Sequence, residues 1–166
     1  MKKQINKIMV AIDFSSYSKP ALEYAIEVSK MTNAQILIIN VINQKGTEAV
    51  KKDINSKRPD TFSIVKHLDG ITGRRRAKLQ TLINEVPELK ELKPEIIINY
   101  GIPHKEILIS IDLEKADFLI FGPKGHTDFH GFLFGSVAEK LFRYSPVPVM
   151  SLRNNLKKSK HFKEAV

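Results

Sequence analysis

The stretch from Ala116 to Leu152, which reads ADFLIFGPKGHTDFHGFLFGSVAEKLFRYSPVPVMSL, is the part of the sequence that decides the fold class. It opens with a mostly apolar run, Ala116–Phe121, and closes with another, Val147–Leu152. Apolar runs without alternation are typical of strands that are buried on both faces of a parallel sheet. Between the runs lie a glycine-rich loop, Gly122–Phe134, and a segment with apolar residues at helical spacing, Gly135–Tyr144. The stretch therefore predicts a strand, a loop, a crossover helix and a second parallel strand.

The same alternation of apolar runs and helical segments continues towards the N-terminus. Three more strands are predicted, at Ile8–Ile12, Gln35–Ile42 and Pro94–Tyr100. Three more helices are predicted, at Pro20–Thr32, Ile71–Val86 and His104–Lys115. No secondary structure is assigned to the polar segment 43–70, which we interpret as a long connecting loop. This order of elements predicts an α/β fold, a doubly wound five-stranded parallel sheet with helices on both faces.

Length and composition fit one domain. The chain has 166 residues, enough to bury a sizeable core, and we divide it into a domain over 1–153 and a basic tail over 154–166. It contains no cysteine, which excludes disulfides and thiolate zinc sites. No apolar run approaches the roughly 18 residues of a membrane helix, and Ile8–Ile12 is too short for a secretory signal. We therefore expect a cytoplasmic protein that does not bind a membrane.

The glycines that follow the fourth predicted strand suggest an anion site. Two residues separate Gly122 from Gly125, and Gly135 stands directly before Ser136 at the start of a helix. Glycine allows positive φ and lets backbone N–H groups approach an anion, and the N–H groups at a helix start attract phosphate. The loop has neither the Gly-Lys-Ser/Thr of a P-loop nor the spacing of a dinucleotide fingerprint. A structural role fits the same residues, with Gly122 ending the strand and Ser136 capping the helix.

The predicted topology places this loop opposite the end of the first strand. Doubly wound sheets bind ligands beyond the carboxyl ends of their strands, where the strand order reverses. Asp13 ends the first predicted strand and Gly122 ends the fourth, so both face one crevice if these strands are neighbours. Asp13 can bind a ligand there, and it can also cap the first helix together with Ser15 or Ser16.

Taken together, these segments resemble the universal stress protein family. The pattern Gly122-x2-Gly125-x9-Gly135-Ser136 has the spacing of the family's ATP-binding signature. Val10–Ser15 looks like the family's opening, and Ser145–Val149 is similar to its usual ending. The resemblance covers residues 5–153.

The resemblance implies an adenine-nucleotide-binding protein of the stress response that is not an enzyme, with slow ATP hydrolysis left open. The implied ligand is ATP, or ADP or AMP, with room for Mg²⁺ at the phosphates. Asp13 would lie near the ribose or adenine and Val41 against the base. The residues implied to hold the nucleotide are Ala11, Asp13, Val41, Gly122, Gly125, Gly135, Ser136 and Val137. The family also implies a homodimer that pairs through the last strand, Val147–Leu152.

Two residues depart from the family pattern. Pro123 has no backbone N–H to offer a phosphate. Ala138 lacks the hydroxyl that some members carry at this place. Both departures predict fewer hydrogen-bond donors at the phosphates, and a lost bond to a charged group costs roughly 1.5–3 kcal/mol.

Other polar residues of the loop have an ordinary explanation beside a functional one. Lys124 would contact phosphate or remain a solvated lysine. His126 and His130 lie four residues apart with Asp128 between them, but no third ligand is evident, so metal binding is not expected.

The net charge of +9 supports a second hypothesis. The excess lies in residues 43–93, with +5, and in 153–166, with +4. Arg74–Arg76 and Lys78 form a compact basic cluster that is either a solvated face or a contact for phosphates. No aromatic residues are interleaved with it, so nucleic acid is not the expected partner. The alternative function is an adaptor that binds a polyanion or an acidic protein, with a vestigial nucleotide site.

Overall fold

A computed structural model describes residues 4–45, 61–123 and 135–152. The strands are β1 (Lys7–Ala11), β2 (Gln35–Asn43), β3 (Glu95–Gly101), β4 (Phe118–Phe121) and β5 (Val149–Ser151). The helices are α1 (Ser18–Thr32), α2 (Thr61–Asn84), α3 (Pro87–Leu92), α4 (Pro103–Glu114) and α5 (Ser136–Tyr144). This alternation confirms the predicted α/β class.

The five strands form one parallel sheet in the order β3-β2-β1-β4-β5. The chain builds outward from β1 to β3 and then returns to the other side of β1 with β4. The strand order therefore reverses between β1 and β4, where Ala11 pairs with Phe121. Asp13 and Gly122 follow these two strands. The prediction that the first and fourth strands are neighbours, with both residues at one edge of the sheet, is therefore confirmed.

Two buried clusters cover the two faces of the sheet. Alternate residues of β2 point to opposite faces, with Ile38 in one cluster and Ile39 in the other. The first cluster contains residues of α1, α2 and α3, including Leu22 and Leu79. The second contains residues of α4 and α5, including Ile107. The helices thus lie on both faces, and α2 and α5 belong to opposite layers.

Helix α2 is longer than the sequence pattern indicates. It begins at Thr61, ten residues before the predicted start at Ile71, and it continues through Gly70. A glycine inside a helix costs only about 1 kcal/mol relative to alanine, which packing elsewhere on the helix can offset. Helical spacing predicts that Ala77, Leu79 and Ile83 face the core; Leu79 and Ile83 are buried, whereas Ala77 is exposed.

The sequence pattern does not predict the short helix α3. The pattern predicts one helix that ends at Val86, but Val86 is instead the extended residue before α3. Pro87 occupies the first turn, where its missing N–H costs nothing, and Leu89 is fully buried. Proline here starts a helix and does not merely end one.

Smaller differences concern the last third of the chain. Strand β5 is three residues long, within the six predicted for Val147–Leu152. Helical spacing over Gly135–Tyr144 predicts that Phe142 faces inward, but Phe142 is 43% exposed, with its ring packed edge-on against Phe121 at 5.1 Å. No helix in the described part of the chain is long and apolar enough to cross a membrane.

Candidate functional site

A cavity of about 280 Å³ opens at the carboxyl ends of β1, β2 and β4, beside the reversal of strand order. This volume is near the lower end of the roughly 300–1,000 Å³ typical of small-molecule sites. Its lining residues come from three strand ends and three helices. They are Ala11, Ile12, Asp13, Ile39, Asn40, Val41, Asn43, Arg75, Pro103, Ile107, Phe121, Gly122, Gly135, Ser136, Val137, Ala138 and Leu141.

Seven of the eight sequence-predicted site residues line this cavity. They are Ala11, Asp13, Val41, Gly122, Gly135, Ser136 and Val137. The eighth, Gly125, lies outside the described residues, as do Lys124, His126, Asp128 and His130. The structure therefore brings distant parts of the chain to one place, and their binding of a nucleotide stays a prediction.

Asp13 is held at the rim of the cavity by the turn that leads into α1. The backbone N–H of Ile12 donates to the carbonyl of Ile39 at 2.9 Å, which continues the pairing one residue beyond β1. Asp13 Oδ1 then accepts from the backbone N–H of Ser15 at 2.9 Å and from the Ser18 hydroxyl at 3.4 Å. The capping role considered for Asp13 is wrong, because the N-cap of α1 is Tyr17 and no side chain caps the helix. The two hydrogen bonds instead orient, within the turn, a carboxylate that also borders the cavity.

The start of α5 presents backbone donors to the cavity. The first intrahelical bond runs from Glu139 N–H to the carbonyl of Gly135 at 3.0 Å. The N–H groups of Ser136, Val137 and Ala138 precede that bond and have no acceptor within the helix. Free N–H groups and the helix dipole favour an anion at this point.

Gly135 is the N-cap of α5, and no side-chain cap is present there. The alternative in which Ser136 caps the helix is therefore wrong. Gly135 has φ −73° and ψ 157°, which any residue can adopt. Its N–H donates to the carbonyl of Pro123 at 2.8 Å and closes the base of the glycine loop. The advantage of glycine here is the absent side chain, which leaves the helix start open.

The part of the cavity between β2 and helices α4 and α5 is apolar. Ile39, Ile107, Leu141 and Phe121 are buried there, and Val41 is partly buried. These residues belong to the cluster on one face of the sheet. Apolar walls beside a polar helix start suit a ligand with a flat apolar ring at one end and negative charge at the other.

Asn40 lines the cavity and was not predicted. It is 1% exposed, and its Nδ2 donates to the carbonyl of Ile12 at 2.6 Å. Its Oδ1 has no hydrogen-bond partner within the described segments of the chain. An asparagine inside the otherwise apolar run ILIINVI (Ile36–Ile42) was the available signal, because a buried amide in a strand requires a partner.

Arg75 is another lining residue that the sequence interpretation did not place at the site. It is half-buried and lines the cavity, whereas Arg74 and Arg76 are exposed. Its guanidinium carbon lies 5.2 Å from the ring centroid of Phe14, and Lys78 Nζ lies 4.5 Å from the same centroid. The run of three arginines is thus divided, with the middle one directed to the cavity.

One ionisable group near the site has a shifted pKa. His104 follows the cavity residue Pro103 at the start of α4. Burial lowers the pKa of His104, and the charges of Lys140 and Lys105 lower it further. No three His, Asp or Glu side chains meet as a metal site in the described segments.

Known proteins share both the sequence pattern and the fold. A profile of the Universal stress protein family matches residues 4–153. Universal stress protein MJ0577 of Methanocaldococcus jannaschii is 27% identical over 160 residues, which cover 92% of this chain and 98% of that protein. Its solved structure has a TM-score of 0.74 at 25% identity, covering 92% and 99% of the two chains.

Two further relatives agree with this match. Universal stress protein YxiE of Bacillus subtilis is 30% identical over 152 residues, or 89% of this chain and 99% of that protein. A universal stress protein of Archaeoglobus fulgidus in complex with dAMP has the same fold, with a TM-score of 0.54 at 15% identity and coverage of 91% and 100%. The family resemblance inferred from the sequence is confirmed.

Proposed function

Since this chain belongs to the universal stress protein family, we propose that it is a regulatory protein that binds an adenine nucleotide, with ATP as the main ligand. The observation that carries the proposal is one cavity that joins an apolar slot to the open start of α5 at the reversal of strand order. Adenine and phosphate need these two environments side by side.

The base and ribose would occupy the part of the cavity near β1 and β2. Val41 and Ala11 lie on the apolar face and would contact the adenine ring. The carboxylate of Asp13 can accept hydrogen bonds from ribose hydroxyls, because its Oδ1 is already oriented by the α1 turn.

The phosphates would lie towards Gly122 and the start of α5. The N–H groups of Ser136 and Val137 would donate to phosphate oxygens, and Gly125 would complete the loop. Mg²⁺ in nucleotide sites is bound largely through the phosphates of the ligand, so any Mg²⁺ here would be held chiefly by the phosphates. The A. fulgidus neighbour, solved in complex with dAMP, supports an adenine nucleotide as a ligand that this fold can hold.

Nucleotide occupancy, and not turnover, would be the working signal of this protein. The proposal includes a cytoplasmic location, which cell fractionation tests. It leaves slow hydrolysis as a measurable side reaction, and phosphate release over hours in the presence of Mg²⁺ measures it. Turnover as fast as that of typical enzymes would contradict a purely regulatory role.

Calorimetric titration of the purified protein with ATP, AMP and adenosine tests the proposal. We expect binding of ATP with release of heat and a raised unfolding temperature in its presence. Mass spectrometry of small molecules released by heating identifies any nucleotide that copurifies. A folded protein that binds none of the three compounds would overturn the proposed function.

The proposal also includes a homodimer formed through the last strand. Strand β5 is at one edge of the sheet and pairs with β4 alone among the described strands. An edge strand offers unpaired backbone groups to a second copy. Light scattering after gel filtration should give twice the mass of one chain; the mass of a single chain at micromolar concentration would exclude this part of the proposal.

A second candidate function has one supporting observation. Arg74 and Arg76 are exposed on α2, where they are available to a polyanion or an acidic protein. Retention on a heparin column that decreases with salt would support this adaptor role. Unchanged retention after neutralising both arginines and removing residues 153–166 would exclude it.

A further inference from the structure

We propose that Arg75 binds the phosphate groups of the nucleotide and selects for phosphorylated ligands. This inference rests on the proposed function. It assigns to α2 a ligand contact that the glycine signature does not contain.

Arg75 and the start of α5 approach the cavity from opposite layers of the protein. Helix α2 packs in the cluster with Leu22 and Leu79, whereas α5 packs in the cluster with Ile107. Both nevertheless line the same cavity at the carboxyl edge of the sheet. A phosphate chain that lies across this edge would meet N–H groups of α5 on one side and the guanidinium of Arg75 on the other.

The charge of the described cavity lining favours such a residue. Asp13 and Arg75 are the two charged residues among the described lining residues. Without Arg75 the lining would carry a negative charge at Asp13, which would repel a triphosphate. With Arg75 the two charges balance, and the helix dipole of α5 then makes the cavity favourable for an anion.

The guanidinium is held in place before any ligand arrives. Its carbon lies 5.2 Å from the centroid of the Phe14 ring, and stacking of this kind orients arginine. Phe14 follows Asp13 directly and has a left-handed backbone, with φ 65°, which turns it away from the path of β1. No carboxylate forms an ion pair with Arg75 among the described residues, so its donors are available to phosphate.

The two neighbouring arginines provide a matched comparison. Arg74 and Arg76 have the same charge and belong to the same turn of α2, yet both are exposed. A long-range effect of net charge would therefore be nearly equal for Arg75 and Arg76. A direct contact would be specific to Arg75.

Calorimetric affinities of Arg75→Gln and Arg76→Gln for ATP, AMP and adenosine test the assignment. We expect Arg75→Gln to weaken ATP binding by about 10- to 100-fold, since a lost bond to a charged group has that size. The loss should be smaller for AMP and absent for adenosine. Arg76→Gln should weaken ATP binding by less than about threefold, the size of a screened surface charge. Arg75→Lys keeps the positive charge but loses the paired N–H donors of the guanidinium, so its ATP affinity should be intermediate.

Each outcome bears on the assignment. Equal effects of Arg75→Gln and Arg76→Gln on ATP would overturn it, and so would an equal loss for ATP and adenosine, which would indicate a packing role. Circular dichroism checks that the variants are folded, and Arg75→Lys is the decisive variant if Arg75→Gln does not fold. A folded wild-type chain that binds no nucleotide would overturn both the proposed function and this assignment. Wild type that binds ATP while Arg75→Gln shows no specific loss would overturn the assignment alone.

Discussion

The side-chain amide of Asn40 donates a hydrogen bond of 2.6 Å to the main-chain carbonyl of Ile12, and this bond ties β2 to the residue before Asp13. The backbone of Ile12 is also bonded to Ile39 through its N–H. Both polar groups of Ile12 are therefore fixed by β2. The position of the Asp13 carboxylate at the cavity depends on this anchoring, since Asp13 is the next residue along the chain.

Replacing Asn40 by alanine should lower both stability and affinity. The substitution leaves the buried carbonyl of Ile12 without the amide, and an unsatisfied buried group costs about 1–3 kcal/mol. Urea unfolding should show this loss, and ATP affinity should fall because the Asp13 turn is no longer held. Asn43→Ala is the matched control for the unfolding measurement alone, because Asn43 also lines the cavity but its Oδ1 accepts only from the exposed backbone of Lys45 in the described structure. Equal unfolding midpoints for the two variants would refute the anchoring role.

Valine at Gly135 should separate binding from folding. The backbone of Gly135 is extended at φ −73° and ψ 157°, so valine fits it and should cost only about 1 kcal/mol as a poorer N-cap. Its branched side chain would cover the start of α5, and ATP affinity should fall by about tenfold or more through lost phosphate contacts. Gly73→Val, where a Cβ would meet nothing within 4 Å, should bind like wild type. Normal ATP binding by a folded Gly135→Val protein would exclude phosphate from this helix start.

Phe14 should influence the nucleotide only through Arg75. Leucine at this position has the same left-handed backbone cost as phenylalanine but offers no ring to the two cations. We expect Phe14→Leu to weaken ATP binding several-fold, by about the value of one cation–π contact. In the Arg75→Gln background the same change should have no further effect on affinity. Calorimetry on the two single variants and the double variant measures the coupling, and additive losses would show that Phe14 acts independently.

The stability of the protein should fall as the pH drops below about 6.5, in part because of His104. Burial, Lys140 and Lys105 lower the pKa of His104 in the folded state. The unfolded chain then binds the proton more readily, so acid favours unfolding between the unfolded and folded pKa values. Above about 6.5 the histidine is neutral in both states, and its effect on stability disappears.

Urea midpoints at about pH 7.5 and about pH 5.5 check this effect, which operates below the unfolded pKa. His104→Gln should lose less stability between the two conditions than wild type does. An identical pH dependence for wild type and His104→Gln would contradict the assignment to His104.

The sequence alone determined the elements whose signals are local. The apolar run Ile8–Ile12 indicated a strand buried on both faces, and the structure has β1 at Lys7–Ala11. The pair Gly135–Ser136 marked the start of α5, because a glycine before an amphipathic segment is a signal contained within one turn. The family could also be inferred from such patterns, because their order along the chain can be read without knowing which residues are in contact.

Only the tertiary structure decided which distant residues share the cavity. Asn40 reads as one polar residue in a strand and Arg75 as one of three adjacent arginines, and nothing local distinguishes Arg75 from Arg76. The difference arises because α2 packs against the sheet over Leu79, which turns Arg75 towards Phe14 and leaves Arg76 exposed. Periodicity records which face of a helix is apolar. It does not record where the helix lies on the sheet, and that position is set by packing between residues far apart in sequence.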